Sequence, residues 1–170
     1  MELKDQAMTT TTTIGSNGTA NLRQDLTQAE FSWTIGAPRT AYSTGKTISL
    51  GDYQFARIGV RIEVEHSAKD ALNALETARY LAREITEQEA ASVLRAERQP
   101  QPFTDGGFSK YEVTIEYGLT LKVGRFDSAK VDIALTRNSS GDLESVIWDM
   151  REILKEHVMN EARIIRESIS

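Results

Sequence analysis

From Tyr111 to Val123 apolar and polar residues alternate. Tyr111, Val113, Ile115, Tyr117, Leu119, Leu121 and Val123 share one side, and Glu112, Thr114, Glu116, Gly118, Thr120 and Lys122 the other. A period of two predicts a long strand with one face on a core. The same alternation sets Ile58, Val60, Ile62 and Val64 against Arg57, Gly59, Arg61, Glu63 and Glu65, and carries a return strand through Val131, Ile133 and Leu135. A fourth strand is expected from about Thr40 to Leu50. After each second strand the spacing becomes helical. Leu72, Leu75, Ala78, Ala82 and Ile85 predict a helix reaching about Glu97, opened by a Ser67–Asp70 capping box. Leu143, Ile147, Met150, Leu154, Val158 and Ile165 predict a second helix. Asn138-Ser139-Ser140-Gly141 supplies its turn and cap, and Asp142 and Glu144 suit its dipole.

The two halves of this pattern are copies. TISLGDYQFARIGVRIEV, from Thr47, recurs as TLKVGRFDSAKVDIALTR, from Thr120, without a gap when Gly51 is set on Gly124. Thr47/Thr120, Ala56/Ala129 and Gly45/Gly118 then coincide, and Arg57/Lys130, Ile58/Val131 and Val60/Ile133 match in kind. The expected fold class is therefore α+β: a duplicated ββα-ββα unit forming a four-stranded antiparallel sheet with two long helices on one face. Phe31, Trp33 and Ile35 alternate with Ser32 and Thr34, and would add a fifth strand. Pairing the copies about a pseudo-twofold gives a permuted ferredoxin-like layout.

Residues 1–28 are rich in Thr, Asn, Gln and Gly and lack an apolar period, so a flexible tail is expected there, ordered only on a partner or swapped as an arm. Residues 29–170 read as one domain, with repeats over about 37–98 and 110–167. Pro100, Pro102 and Asp105-Gly106-Gly107 link them.

Composition narrows the chemistry. Twenty Lys and Arg against twenty-five Asp and Glu give a net charge of -5, which argues against a protein that coats nucleic acid or anionic membrane but leaves room for a local basic groove. With no cysteine, disulfides, thiolate metal sites and cysteine nucleophiles are excluded. No apolar run approaches a membrane span, and Met1–Asn17 has no signal-peptide core. A cytoplasmic, soluble protein is expected.

The run Leu50-Gly51-Asp52-Tyr53 followed by Ala56-Arg57-Ile58-Gly59-Val60 resembles a strand-turn-strand motif of small phage-encoded proteins of unassigned activity. The resemblance covers both hairpins, although Arg125-Phe126-Asp127 replaces the turn in the second. It implies a phage or prophage setting, hence a host cytoplasm, and carries over no catalytic residue.

Gly45-Lys46-Thr47 looks like the end of a phosphate-binding loop. Thr40 stands where the first glycine is needed, however, and Ile48-Ser49-Leu50 continues as strand rather than helix. His66 and His157 belong to no spaced ligand set, Glu63 and Glu65 fit a solvated strand face, and no serine lies in a Gly-x-Ser-x-Gly elbow. No enzyme, cofactor or metal is expected. The polar sheet face is the candidate surface: Arg57, Gly59, Arg61, Lys122 and Lys130, with Tyr53 and Phe126 at the turns. Its basic residues could follow a phosphate backbone while the turn aromatics stack on bases. Glu63, Glu112, Glu116 and Asp132 dilute that charge, and an RNA-recognition sheet carries its aromatics in mid-strand. Gly45, Gly59, Gly118 and Ala134 would instead let a protein lie flat across the face. Leu81, Val93, Val146, Ile153 and Ile164 widen the helix stripes beyond what one sheet covers, which suggests another subunit. The leading expectation is a non-enzymatic, homo-oligomeric interaction module. Single-stranded nucleic-acid binding comes second, and a small-ligand pocket between the repeats third.

Overall fold

The structure, a computed structural model, describes residues 7–14, 18–25, 31–95, 103, 106–125 and 127–169. Its elements are β1 (Ala7–Ile14), β2 (Gly18–Asp25), β3 (Arg39–Gly51), β4 (Gln54–Glu65), α1 (Ala71–Val93), β5 (Tyr111–Lys122), β6 (Ser128–Ser139) and α2 (Leu143–Ile169). Strands β3 to β6 form one antiparallel sheet in chain order, and β1 and β2 pair separately. The fold is α+β, with α1 packed on β3 and β4, and α2 on β5 and β6.

The alternating strands place their apolar residues where the period demands. Ile58, Val60, Ile62, Val64, Tyr111, Val113, Ile115, Val131, Ile133 and Leu135 are buried beneath the helices. Their polar neighbours form the opposite, open face. The two hairpins also share a register. Arg39 pairs with Glu65 and Gly45 with Gly59, and the shift that carries Gly51 onto Gly124 turns these pairs into Glu112–Asn138 and Gly118–Asp132, both of which occur.

The strand order departs from the pseudo-twofold expectation. A twofold would put both copies of the same strand at the centre or both at the edge. Here β3 and β6 are the edges, and β4 pairs with β5. The two hairpins thus follow one another across the sheet in chain order, and the order is not that of a permuted ferredoxin-like fold. No fifth strand joins at Phe31. Residues 31–34 are held by side chains instead: the Thr34 N–H and hydroxyl donate to Glu65, and Lys110 donates to the Ser32 carbonyl and the Thr34 hydroxyl.

In α1 the buried stripe is rotated from the expected one. Leu72 and Leu75 face solvent, while Ala74, Ala78, Leu81, Ala82 and Ile85 are buried. Three alanines let the helix approach the sheet closely, while Leu81 and Ile85 supply the bulk of its buried face and the stripe starts at Ala74 rather than Leu72. The Ser67–Asp70 box is also altered: the Ser67 hydroxyl donates to the Asp70 carboxylate rather than capping the helix. The second helix is capped by Asp142, whose Oδ1 accepts from the Ser145 N–H at 3.0 Å. β6 extends through Asn138 and Ser139, which the sequence suggested for a turn.

The segment expected to be a tail contains β1 and β2, which pair from Ala7–Asp25 to Ile14–Gly18. The threonine run that defeats helical periodicity suits a strand, since β-branched residues favour extended backbone.

Candidate interaction face

On the open face four residues from four strands lie in one row: Thr47, Arg57, Gly118 and Asp132. Arg57 stretches over β5 and donates from Nη2 to Asp132 Oδ1 at 2.5 Å, two strands away. Glycine at position 118 leaves the space for this crossing. A Cβ on Gly118 would stand 2.5 Å from Asp132 Oδ1 and 3.1 Å from Arg57 Nε. Lys130 joins the same carboxylate at 3.1 Å. Two rows on, Arg61 meets Glu63 at 2.7 Å and Glu112 at 3.5 Å, and Arg39 meets Glu63 at 3.4 Å. In the Arg61 row itself Thr114 and Thr136 share a hydrogen bond of 2.8 Å.

These contacts sort the candidate residues. Arg57, Gly59, Arg61, Lys122 and Lys130 do share one face. Tyr53 stands at its edge, 81% exposed, with the Lys122 ammonium 5.9 Å from its ring centre. Phe126 lies outside the described residues. The small residues do not hold open a flat seat for a partner, as the sequence suggested. The space above Gly118 is taken by the Arg57–Asp132 bridge. A Cβ on Gly59 would touch that of Glu116 at 3.5 Å, and one on Gly45 would meet the Ile58 carbonyl oxygen at 2.9 Å. The chain itself makes the close approach.

The face has a vertical order of charge. The Glu63 and Asp132 side chains are only 13% and 18% exposed, whereas Arg57, Arg61 and Lys130 are 41–45% exposed. Glu63 and Asp132 lie beneath, covered by the cations that pair with them, whereas Glu116 on the same face is exposed. Burial pushes the Glu112 carboxyl above its ordinary range and the nearby Glu63 charge adds to this, with Arg61 and Arg39 opposing. Burial would also raise Glu65, but hydrogen bonds from Thr34 and the Lys110 charge outweigh it and hold that carboxyl below its ordinary value.

The other residues weighed from sequence have structural partners. His66 is buried, with Nδ1 2.8 Å from the Ser67 carbonyl oxygen and Nε2 2.7 Å from the Thr40 hydroxyl. A carbonyl only accepts, so Nδ1 carries a proton. Lys46 pairs with Glu87 of α1 at 2.9 Å, and that ties the phosphate-loop lookalike into the strand–helix interface. Among the described residues, no three His, Asp or Glu side chains gather as a metal site.

Sequence reasoning missed two buried charged groups on the helix side. Arg151 of α2 pairs with Glu89 of α1 and donates to Gln88 Oε1 at 2.6 Å. Burial pushes the Glu89 carboxyl up, opposed chiefly by Arg151. Arg137, on the inner face of β6, reaches Asp149 at 3.7 Å. Both charges sit at helical or strand positions that read as apolar by period, and only that mismatch could have signalled them.

The widened helix stripes are largely absorbed within the chain. Leu81 is buried, and Val93, Val146 and Ile153 pack on the core, which leaves Ile164 exposed. A cleft of about 360 Å³ opens between the helices at the hairpin end, lined by Leu50, Tyr117, Leu119, Val93, Val158 and Met159. It lies between the repeats, where a ligand pocket was considered. No described helix is long and apolar enough to cross a membrane. Comparison with known proteins finds no family model, curated protein or solved structure that matches this chain.

Proposed function

We propose that this chain is a non-enzymatic interaction module, built from two tandem ββα units, that associates with further copies of itself and with a protein partner. The observation that carries this reading is the internal pairing of the open face. Arg57, Arg61, Lys130 and Arg39 are each matched to a carboxylate of the same sheet. A phosphate backbone would have to displace those acids, whereas a protein surface can meet the face as it stands. The common register of the two hairpins supports descent of the units from one duplicated segment. The resemblance of the hairpins to small phage proteins supports an accessory role in a phage setting. Light scattering at micromolar concentration should give at least twice the 19.0 kDa chain mass. A monomer across a dilution series would count against the reading.

The outward layer of cations favours a second reading, single-stranded nucleic-acid binding with Tyr53 as a stacking platform. Such binding weakens by roughly 0.7 log units per phosphate contact per decade of salt. A labelled oligonucleotide at low salt separates the two readings. Submicromolar binding lost on charge reversal of Arg57, Arg61 and Lys130 would replace the first by the second.

A further inference from the structure

We infer that β3 and β6 are matched docking edges, and that a second copy of this chain sets its β3 against β6, head to tail. The inference deepens the proposed self-association and rests on it.

A translation across the sheet relates the two units. The shift carrying Gly51 onto Gly124 takes β3 to β5 and β4 to β6. Within the chain the units are joined through β4 and β5, with Ile58 opposite Tyr117, Val60 opposite Ile115 and Ile62 opposite Val113. Applied to that junction, the same shift pairs β6 of one copy with β3 of the next. Val131 then falls opposite Thr44, Ile133 opposite Tyr42 and Leu135 opposite Thr40. A twofold would close after two units, but a translation does not. It leaves one edge that resembles β4 and one that resembles β5.

The residues suit the junction. On the open face Lys130 falls opposite Gly45, as Arg57 falls opposite Gly118, so each cation crosses a glycine. Asp132 falls opposite Ser43, Ala134 opposite Ala41, and Thr136 opposite Arg39. No like charges face each other, whereas the internal junction sets Glu63 against Glu112. The outer edge of β3, a strand of 13 residues, has no ladder partner among the described residues. A long open edge is a template for pairing. At the other side β1 runs beside β6 but forms its ladder only with β2. Its withdrawal therefore breaks no β6 ladder.

The chain has no cysteine, which makes the test clean. Ala41→Cys with Ala134→Cys places two thiols opposite each other across the junction. Facing residues of an antiparallel pair have Cα atoms about 4.5–5.5 Å apart, within disulfide range. Inside one chain these positions lie on opposite edges, three strand spacings or roughly 14 Å apart across the sheet and four residues apart along it, too far to bridge. Oxidation of the full-length double variant should give a ladder of dimers, trimers and higher multiples on denaturing gels, while each single variant stays monomeric. Thr44→Glu in the cysteine-free chain should lower the light-scattering mass toward 19.0 kDa by placing a charge opposite Val131. Multimers in solution that give no ladder and ignore Thr44→Glu would overturn these edges and leave self-association standing. Efficient dimers from Ala41→Cys alone would replace the head-to-tail junction by a symmetric one. A monomer throughout would remove both inferences.

Discussion

Single residues on the sheet show where local rules give way. Asp52 and Tyr53 both have positive φ, 47° and 61°, as a two-residue turn matching strand twist requires. For a tyrosine that region costs about 1–2 kcal/mol, while asparagine tolerates it. The contact with Lys122 returns about 0.5–1 kcal/mol. Tyr53→Asn should therefore stabilise the chain by about 0.5 kcal/mol, visible as a raised thermal midpoint. A lowered midpoint would mean that the ring does more than the strain costs. Glu112 gives a pH test. Its folded value is raised, so its favourable contribution is fully present below the ordinary carboxylate range. That contribution is lost as pH rises through the raised value. Glu112→Gln should be the more stable form at pH 7, and the difference should vanish on acidification toward about pH 4. A pH-independent difference, or a less stable variant at pH 7, would contradict the account. Glu65 has the opposite sign, its contribution being present above the ordinary range and lost in acid.

At the scale of elements, the strands were legible and the helix faces less so. Strict alternation fixed which side of β4, β5 and β6 is buried, because a period of two leaves one choice. A helix stripe can rotate. The spacing placed Ala78, Ala82 and Ile85 on the buried face, where they lie, but it also put Leu72 and Leu75 there, and Ala74 and Leu81 are buried in their stead. The face candidates were legible as a set, since alternation alone put Arg57, Arg61, Lys122 and Lys130 together. Their pairing with Asp132 and Glu63 was not, because it depends on β4 lying next to β5. The Glu89–Arg151 link between the helices shows what such hidden pairs do. Arg151→Ala leaves a buried carboxylate without its partner, which typically costs about 3–5 kcal/mol. Adding Glu89→Gln removes the stranded charge and should recover much of the loss. Chemical denaturation of the single and double variants measures both, and equal stability of Arg151→Ala and the parent would show the pair to be incidental.

For the whole molecule, the central fact is that the β4–β5 junction unites two hairpins, each of which packs a helix of its own. The sequence likeness between the two ββα segments could not order them in space, since a twofold and a translation give the same aligned residues. Each unit alone is a two-stranded sheet under one helix, and two strands make a marginal structure in water. Separated units would also expose the inner edges of β4 and β5 together with Ile62, Ile115 and Tyr111, all fully buried in the intact chain. Cooperative folding should therefore belong to the pair. Fragments 1–100 and 101–170 are expected to show little helix and no cooperative thermal transition alone. Mixed in equal amounts, they should regain the circular dichroism of the parent, because the junction needs no covalent link to form. A fragment that unfolds cooperatively by itself would mean that one ββα unit holds a core of its own. Fragments that stay unstructured when mixed would mean that the linker, through Phe103 beside Arg151 and Gly106 against Thr77, contributes more to the fold than a tether does.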